Sequence, residues 1–100
     1  MNRKQNTTCI GLKWSDEIKK LVWEKGIIIP NYPKSLWRLD YCGGIMHFPE
    51  HGNRNSKYGW EIDHINAVSN QGTDVLSNLQ PLNWEVNVKK SDRLDFSCVV

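Results

Sequence analysis

The sequence predicts an α+β fold in one domain, and three observations carry that prediction. Residues 15–26 have the spacing and end signals of an amphipathic helix. Near residue 41 the texture changes to turn, strand, turn and helix. A chain of 100 residues, 39% of them hydrophobic, is long enough for one modest core and too short for two. No repeat, linker or low-complexity tract divides it. Residues 1–40 are therefore expected to form an N-terminal helical wrap, residues 41–92 a core, and residues 93–100 a tail within a single domain spanning 1–100.

In the first helix Ser15 is the expected N-cap, Asp16 and Glu17 lie in the first turn, Lys25 in the last, and Gly26 is the stop. Ile18, Leu21, Val22 and Lys25 follow the i, i+3, i+4, i+7 spacing and should face a core. Residues 27–29, three isoleucines closed by Pro30, predict a short strand, and residues 33–40 predict one or two helical turns carrying Leu36, Trp37 and Leu39. Gly43 and Gly44 break the chain before a strand at residues 45–48 and a polar loop at 49–55. In residues 58–65 Trp60 and Ile62 alternate with Glu61 and Asp63, the pattern of a half-buried strand. Residues 66–77 form a loop around Gln71, Gly72, Thr73 and Asp74, where Gly72 supplies conformational freedom. Residues 79–82 are extended, and Asn83 caps a last helix over residues 84–90.

Composition excludes several functions. Thirteen Lys plus Arg against eleven Asp plus Glu leave a net charge of +2, so contacts to nucleic acid must be local rather than spread over a basic face. A mean hydropathy of −0.57 and no apolar run longer than three isoleucines exclude a membrane-spanning helix. Polar Thr7 and Thr8 stand where a secretion signal needs apolar residues, and the expected compartment is the cytoplasm. Cys9, Cys42 and Cys98 are odd in number and widely spaced, which reads as free thiols in a reducing compartment.

Residues able to bind a metal or move a proton gather in the second half: Asp63, His64, Asn78, Asn87 and Lys90. Asp63 and His64 are adjacent near a strand end, Asn78 closes the loop, and Asn87 sits inside the last helix. A strand-loop-helix hairpin folds Asn87 back beside Asp63. In this order, Gly59-Trp60-Glu61-Ile62-Asp63-His64-Ile65, then Asn78-Leu79-Gln80-Pro81-Leu82, then Asn87 and Lys90, the chain resembles the HNH nucleases with the ββα-metal fold, over about residues 41–92.

The resemblance implies that Asp63 and Asn87 are ligands of a divalent metal, His64 is the general base, and Asn78 orients the His64 region. A carboxylate and an amide oxygen form a hard, sparse ligand set suited to Mg²⁺ or Mn²⁺. A neutral imidazole can take a proton from water at physiological pH. Arg54, Lys57, Lys89 and Lys90 are the expected phosphate contacts. The implied activity is metal-dependent hydrolysis of DNA to 5′-phosphate and 3′-hydroxyl ends. DNA is the implied partner, with no membrane, and the chain acts as a monomer, a weak homodimer or part of a larger phage or restriction assembly.

The chain also departs from the family pattern. Many members carry a zinc knuckle of two CxxC pairs around the core, whereas here Cys42 stands alone and Asn83 and Val86 occupy the region of the second pair. Packing of Trp60, Leu82 and Trp84 is expected to replace the zinc. Two rival readings stand beside the nuclease: a non-catalytic nucleic-acid-binding module on the same fold, and a structural zinc protein using the pattern Cys42-x4-His47-x3-His51.

Overall fold

The computed structural model describes residues 3–98, and it has mixed α+β architecture. In chain order the elements are α1 (Asp16–Trp23), β1 (Ile27–Ile28), β2 (Trp37–Leu39), β3 (Ile45–His47), β4 (Trp60–His64), β5 (Leu79–Asn83) and α2 (Trp84–Lys90). Strands β1, β2 and β3 form one antiparallel sheet, while β4 and β5 form a separate antiparallel hairpin. The hairpin runs directly into α2, giving a compact ββα unit at the C-terminal side.

Helix α1 begins as the sequence dictates. The Ser15 hydroxyl accepts from the Ile18 N–H, and Asp16 and Glu17 sit at the positive end of the helix dipole. Its buried side differs from the expected stripe: Val22 and Trp23 are buried and Ile18 is half-buried, while Leu21 faces solvent and Lys25, exposed along its stem, turns its amine to the Leu76 and Leu79 carbonyls. The indole of Trp23 decides the rotation. It meets Trp60 at 5.1 Å and Phe48 at 5.3 Å, burying more apolar area than Leu21 could. Trp14, Met46, Ile62 and Leu79 complete this core.

Residues 33–40 do not form the expected helical turns beyond one bend, in which the Pro33 carbonyl accepts from Leu36 and Trp37. Trp37–Leu39 becomes strand β2, because pairing with β1 and β3 on both sides supplies partners that an isolated turn lacks. Strand β4 is buried at all five positions instead of alternating. One side packs on the Trp23 core, and α2 with Arg54 covers the other.

A hydrogen-bonded cross-link ties the Asp40 turn to the start of α2. The buried Asp40 carboxylate accepts from the backbone N–H groups of Cys42, Gly44 and Asn83. The Asn83 side chain donates to the carbonyls of Ile45 and Lys57 and accepts from Glu85 as the N-cap of α2. Burial pushes the Asp40 carboxyl up, opposed by the three N–H donors. Trp60 packs toward α1, and Trp84 joins Asn83 in bracing the loop before β4, through its indole N–H to the Ser56 carbonyl.

The free-thiol expectation is corrected for two of the three cysteines. Cys42 and Cys98 form a disulfide across 56 residues, with Cα atoms 5.3 Å apart, while Cys9 is free and exposed. The bond staples the segment after α2 to the Asp40 turn. Among the described residues no helix is long and apolar enough to cross a membrane.

Candidate active site

Asp63 and His64 end strand β4, and α2 crosses the hairpin so that Asn87 faces the same hollow. A cavity of about 270 Å³ is lined by Asp63, His64, Asn87, Arg54, Asn6 and Arg3 among others. Four of the residues singled out in the sequence thus meet around one space: Asp63, His64, Asn87 and Arg54.

Asp63 is buried, and cross-strand register places Gln80 opposite it. Gln80 donates to its Oδ2 at 2.8 Å, and the Lys90 amine lies 3.2 Å from Oδ2 and 3.3 Å from Oδ1. Burial pushes the Asp63 carboxyl up, while Gln80, Lys90 and His64 pull it down. Lys90 is only 2% exposed and also donates to the His64 carbonyl, so the assignment of Lys90 to phosphate contact is corrected. Its amine neutralises the carboxylate from inside the protein.

Asn87 is oriented by a residue the motif does not name. Its Nδ2 donates to Glu61 Oε1 at 2.8 Å, leaving Oδ1 without a hydrogen-bond partner among the described residues. Glu61 is buried and held by Arg54 through two bonds, Nε to Oε2 at 2.8 Å and Nη2 to Oε1 at 2.9 Å. This pairing with Glu61 pushes the Arg54 guanidinium further up. Arg54 keeps a third of its side chain exposed at the cavity, lying 5.8 Å from the Trp84 ring.

The His64 ring is fixed from the other side. Its Nε2 lies 2.7 Å from Asp74 Oδ1, and Trp14 packs at 5.6 Å between ring centroids. Nδ1 has no partner among the described residues, and the fully buried side-chain nitrogens left unpaired there are those of Trp14 and His51, not of His64. Burial pushes the Asp74 carboxyl up, but the bonds from His64 and Cys9 outweigh it and hold the group below its ordinary value.

Asn78 does not reach the cavity. Its Oδ1 accepts from the Asn66 N–H, and its Nδ2 donates to the carbonyls of Asn66 and Thr73, closing the loop between β4 and β5. In that loop Gln71, not Gly72, takes the left-handed conformation, at φ 69°. Gly72 is required for a close approach instead, since a Cβ there would stand 1.7 Å from the Asn66 carbonyl oxygen. Lys57 and Lys89 are exposed and do not line the cavity.

The donor set fits a hard divalent cation. The Asp63 oxygens accept from Gln80 and Lys90 and keep further lone pairs, the contact with Glu61 leaves the Asn87 oxygen available, and the cavity has room for waters and a phosphate. The Cys42-His47-His51 pattern is not assembled: Cys42 is in the disulfide, His47 stacks on Trp37 at 4.3 Å, and His51 meets Trp60 at 4.8 Å. Among the described residues no three His, Cys, Asp or Glu side chains form a metal-holding group.

Glu61, Gln80, Asp74 and Trp14 bear on this site without being among the residues the sequence motif names. Glu61 was within reach, because two-residue periodicity puts it on the face of Asp63. Gln80 needed the register of β4 on β5, and Asp74 sits in a loop with no periodic signal. No curated protein and no solved structure shows significant similarity to the chain. A family model described as HNH endonuclease matches residues 41–93, from the Asp40 turn through the hairpin and α2. Members of that family are in general nucleases that act on nucleic acid with divalent metal ions. With just over half of its length matched, and the β4-β5-α2 unit folded around the matched residues, this chain belongs to the HNH endonuclease family.

Proposed function

We propose that this protein is a metal-dependent DNA endonuclease that leaves 5′-phosphate and 3′-hydroxyl ends. The observation that carries the reading is the meeting of Asp63, His64 and Asn87 on one open cavity, with one His64 nitrogen held and the other unpartnered among the described residues. Asp63 and Asn87 would hold Mg²⁺ or Mn²⁺, and the cation when bound supplies electrostatic stabilisation of charge developing on the phosphate and the leaving oxygen.

The protein groups do the rest. His64 Nδ1 takes a proton from a water molecule as the water oxygen bonds to phosphorus. The bond from phosphorus to the 3′ oxygen breaks, and that oxygen is protonated from solvent. Arg54, held by Glu61 but exposed at the cavity, offers a donor to a phosphate oxygen. Lys57 and Lys89 contact flanking phosphates. Asn78 acts at a distance, by keeping the loop that carries Asp74 closed. One site cuts one strand, so nicked circles precede linear product.

Incubation of supercoiled plasmid with the purified protein tests this. Nicking in Mg²⁺ or Mn²⁺, none in EDTA, and a loss of about 100-fold or more in His64→Ala is expected, since a general base contributes on the order of 10²–10⁴. Salt-sensitive DNA binding with no cutting in any metal would favour the non-catalytic binding module instead.

A further inference from the structure

We propose that Asp74 is a positioning residue that sets the tautomer of His64, and that the N-terminal segment clamps it in place. The proposal rests on the reading of His64 as general base and adds a residue to that site. A carboxylate only accepts hydrogen bonds. With Asp74 Oδ1 2.7 Å from Nε2, the neutral ring carries its proton on Nε2, and the lone pair falls on Nδ1, the nitrogen without a partner among the described residues. A base must present a lone pair to water, so the Asp74 contact selects the competent form of the ring.

The carboxylate is held by residues far away in sequence. The Cys9 backbone N–H donates to both Asp74 oxygens, at 2.9 and 3.2 Å. That N–H is presented by a closed turn in which Thr8 N–H donates to the Leu12 carbonyl, Gly11 N–H to the Thr8 carbonyl, and Leu12 N–H to the Thr8 hydroxyl. Asn6, at φ 56°, accepts from the Ile62 N–H of β4 at 2.8 Å, and buried Trp14 backs the His64 ring. All four contacts come from residues before position 41, outside the family-matched span. Asp74 itself is a third exposed while the His64 side chain is 4% exposed, so the acid is not there to fill a core.

Nitrogen-15 spectra of the His64 imidazole in mildly alkaline buffer, with kinetics of Asp74 variants, test the proposal. Wild type is expected as the Nε2–H tautomer. In Asp74→Asn the new amide can donate to Nε2 and favour the Nδ1–H form; kcat is expected to fall about 100-fold or more with KM and the unfolding midpoint unchanged. Asp74→Ala lets the ring sample both forms and should lose less than Asp74→Asn, an order that a merely structural role would not give. An Nδ1–H tautomer in wild type, or wild-type kcat in Asp74→Asn, overturns the proposal. If wild type cuts nothing, the nuclease reading fails, and the tautomers of wild type and Asp74→Asn decide the role of Asp74 on their own.

Discussion

Three lysines read from the sequence as one basic patch have two different jobs. Lys90 is buried against Asp63, whereas Lys57 and Lys89 stand in solvent. Removing one partner of a buried ion pair leaves a charge with no compensation, so Lys90→Met is expected to cost roughly 3 kcal/mol in urea unfolding. Lys57→Ala and Lys89→Ala should leave stability within about 0.5 kcal/mol. In binding to duplex DNA each should lower the slope of log affinity against log salt by about 1, while Lys90→Met should not change that slope. The spacing of Lys90 three residues beyond Asn87 was readable in the sequence. Its burial was not, because Asp63 and Lys90 are 27 residues apart and meet only once α2 crosses the hairpin.

At the scale of elements, the ββα unit was the readable part. Alternation at residues 60–63, the extended stretch before Asn83 and the cap at Asn83 are local signals, and β4, β5 and α2 appear where those signals lie. Strand β2 was not readable, since Trp37–Leu39 becomes a strand by pairing with β1 and β3 and carries no strand pattern of its own. Asn83 shows how one residue joins the two kinds of information. Its capping role is local, but its bonds to Ile45 and Lys57 tie α2 to segments 38 and 26 residues away. Asn83→Ala removes a cap worth about 1 kcal/mol and leaves two carbonyls without their donor. A loss of roughly 3 kcal/mol is expected by urea unfolding. A loss of only a few tenths would show that the Asp40 network holds the helix start without this side chain.

For the molecule as a whole, the family-matched half was legible in the sequence and the segments that pack against it were not. The segment before residue 15 carries no periodic signal, yet it reaches β4, Asp74 and His64. The disulfide was hidden too, because three cysteines at wide spacing do not announce a pair. Global stability also answers to pH through His51, whose ring sits against Trp60 with Nε2 buried and unpaired among the described residues. Burial, and then Lys19, push it from 6.5 down to about 4, against a small pull from Glu61. The unfolded chain therefore binds the proton more readily than the fold does. Stability from this group is complete above the unfolded value and is lost as pH falls from about 6.5 to about 4, by up to roughly 3 kcal/mol at about 1.4 kcal/mol per pH unit. Unfolding curves across that range should be flatter in His51→Gln than in wild type.

The fold brings Asp63, His64 and Asn87 together on one cavity, and hydrolysis there is proposed to depend on His64. Cleavage of end-labelled duplex DNA in Mg²⁺, with wild type and His64→Ala side by side, tests it most directly. Wild type is expected to leave 5′-phosphate and 3′-hydroxyl ends, and the variant to cut about 100-fold or more slowly. Equal rates from the two proteins would contradict it.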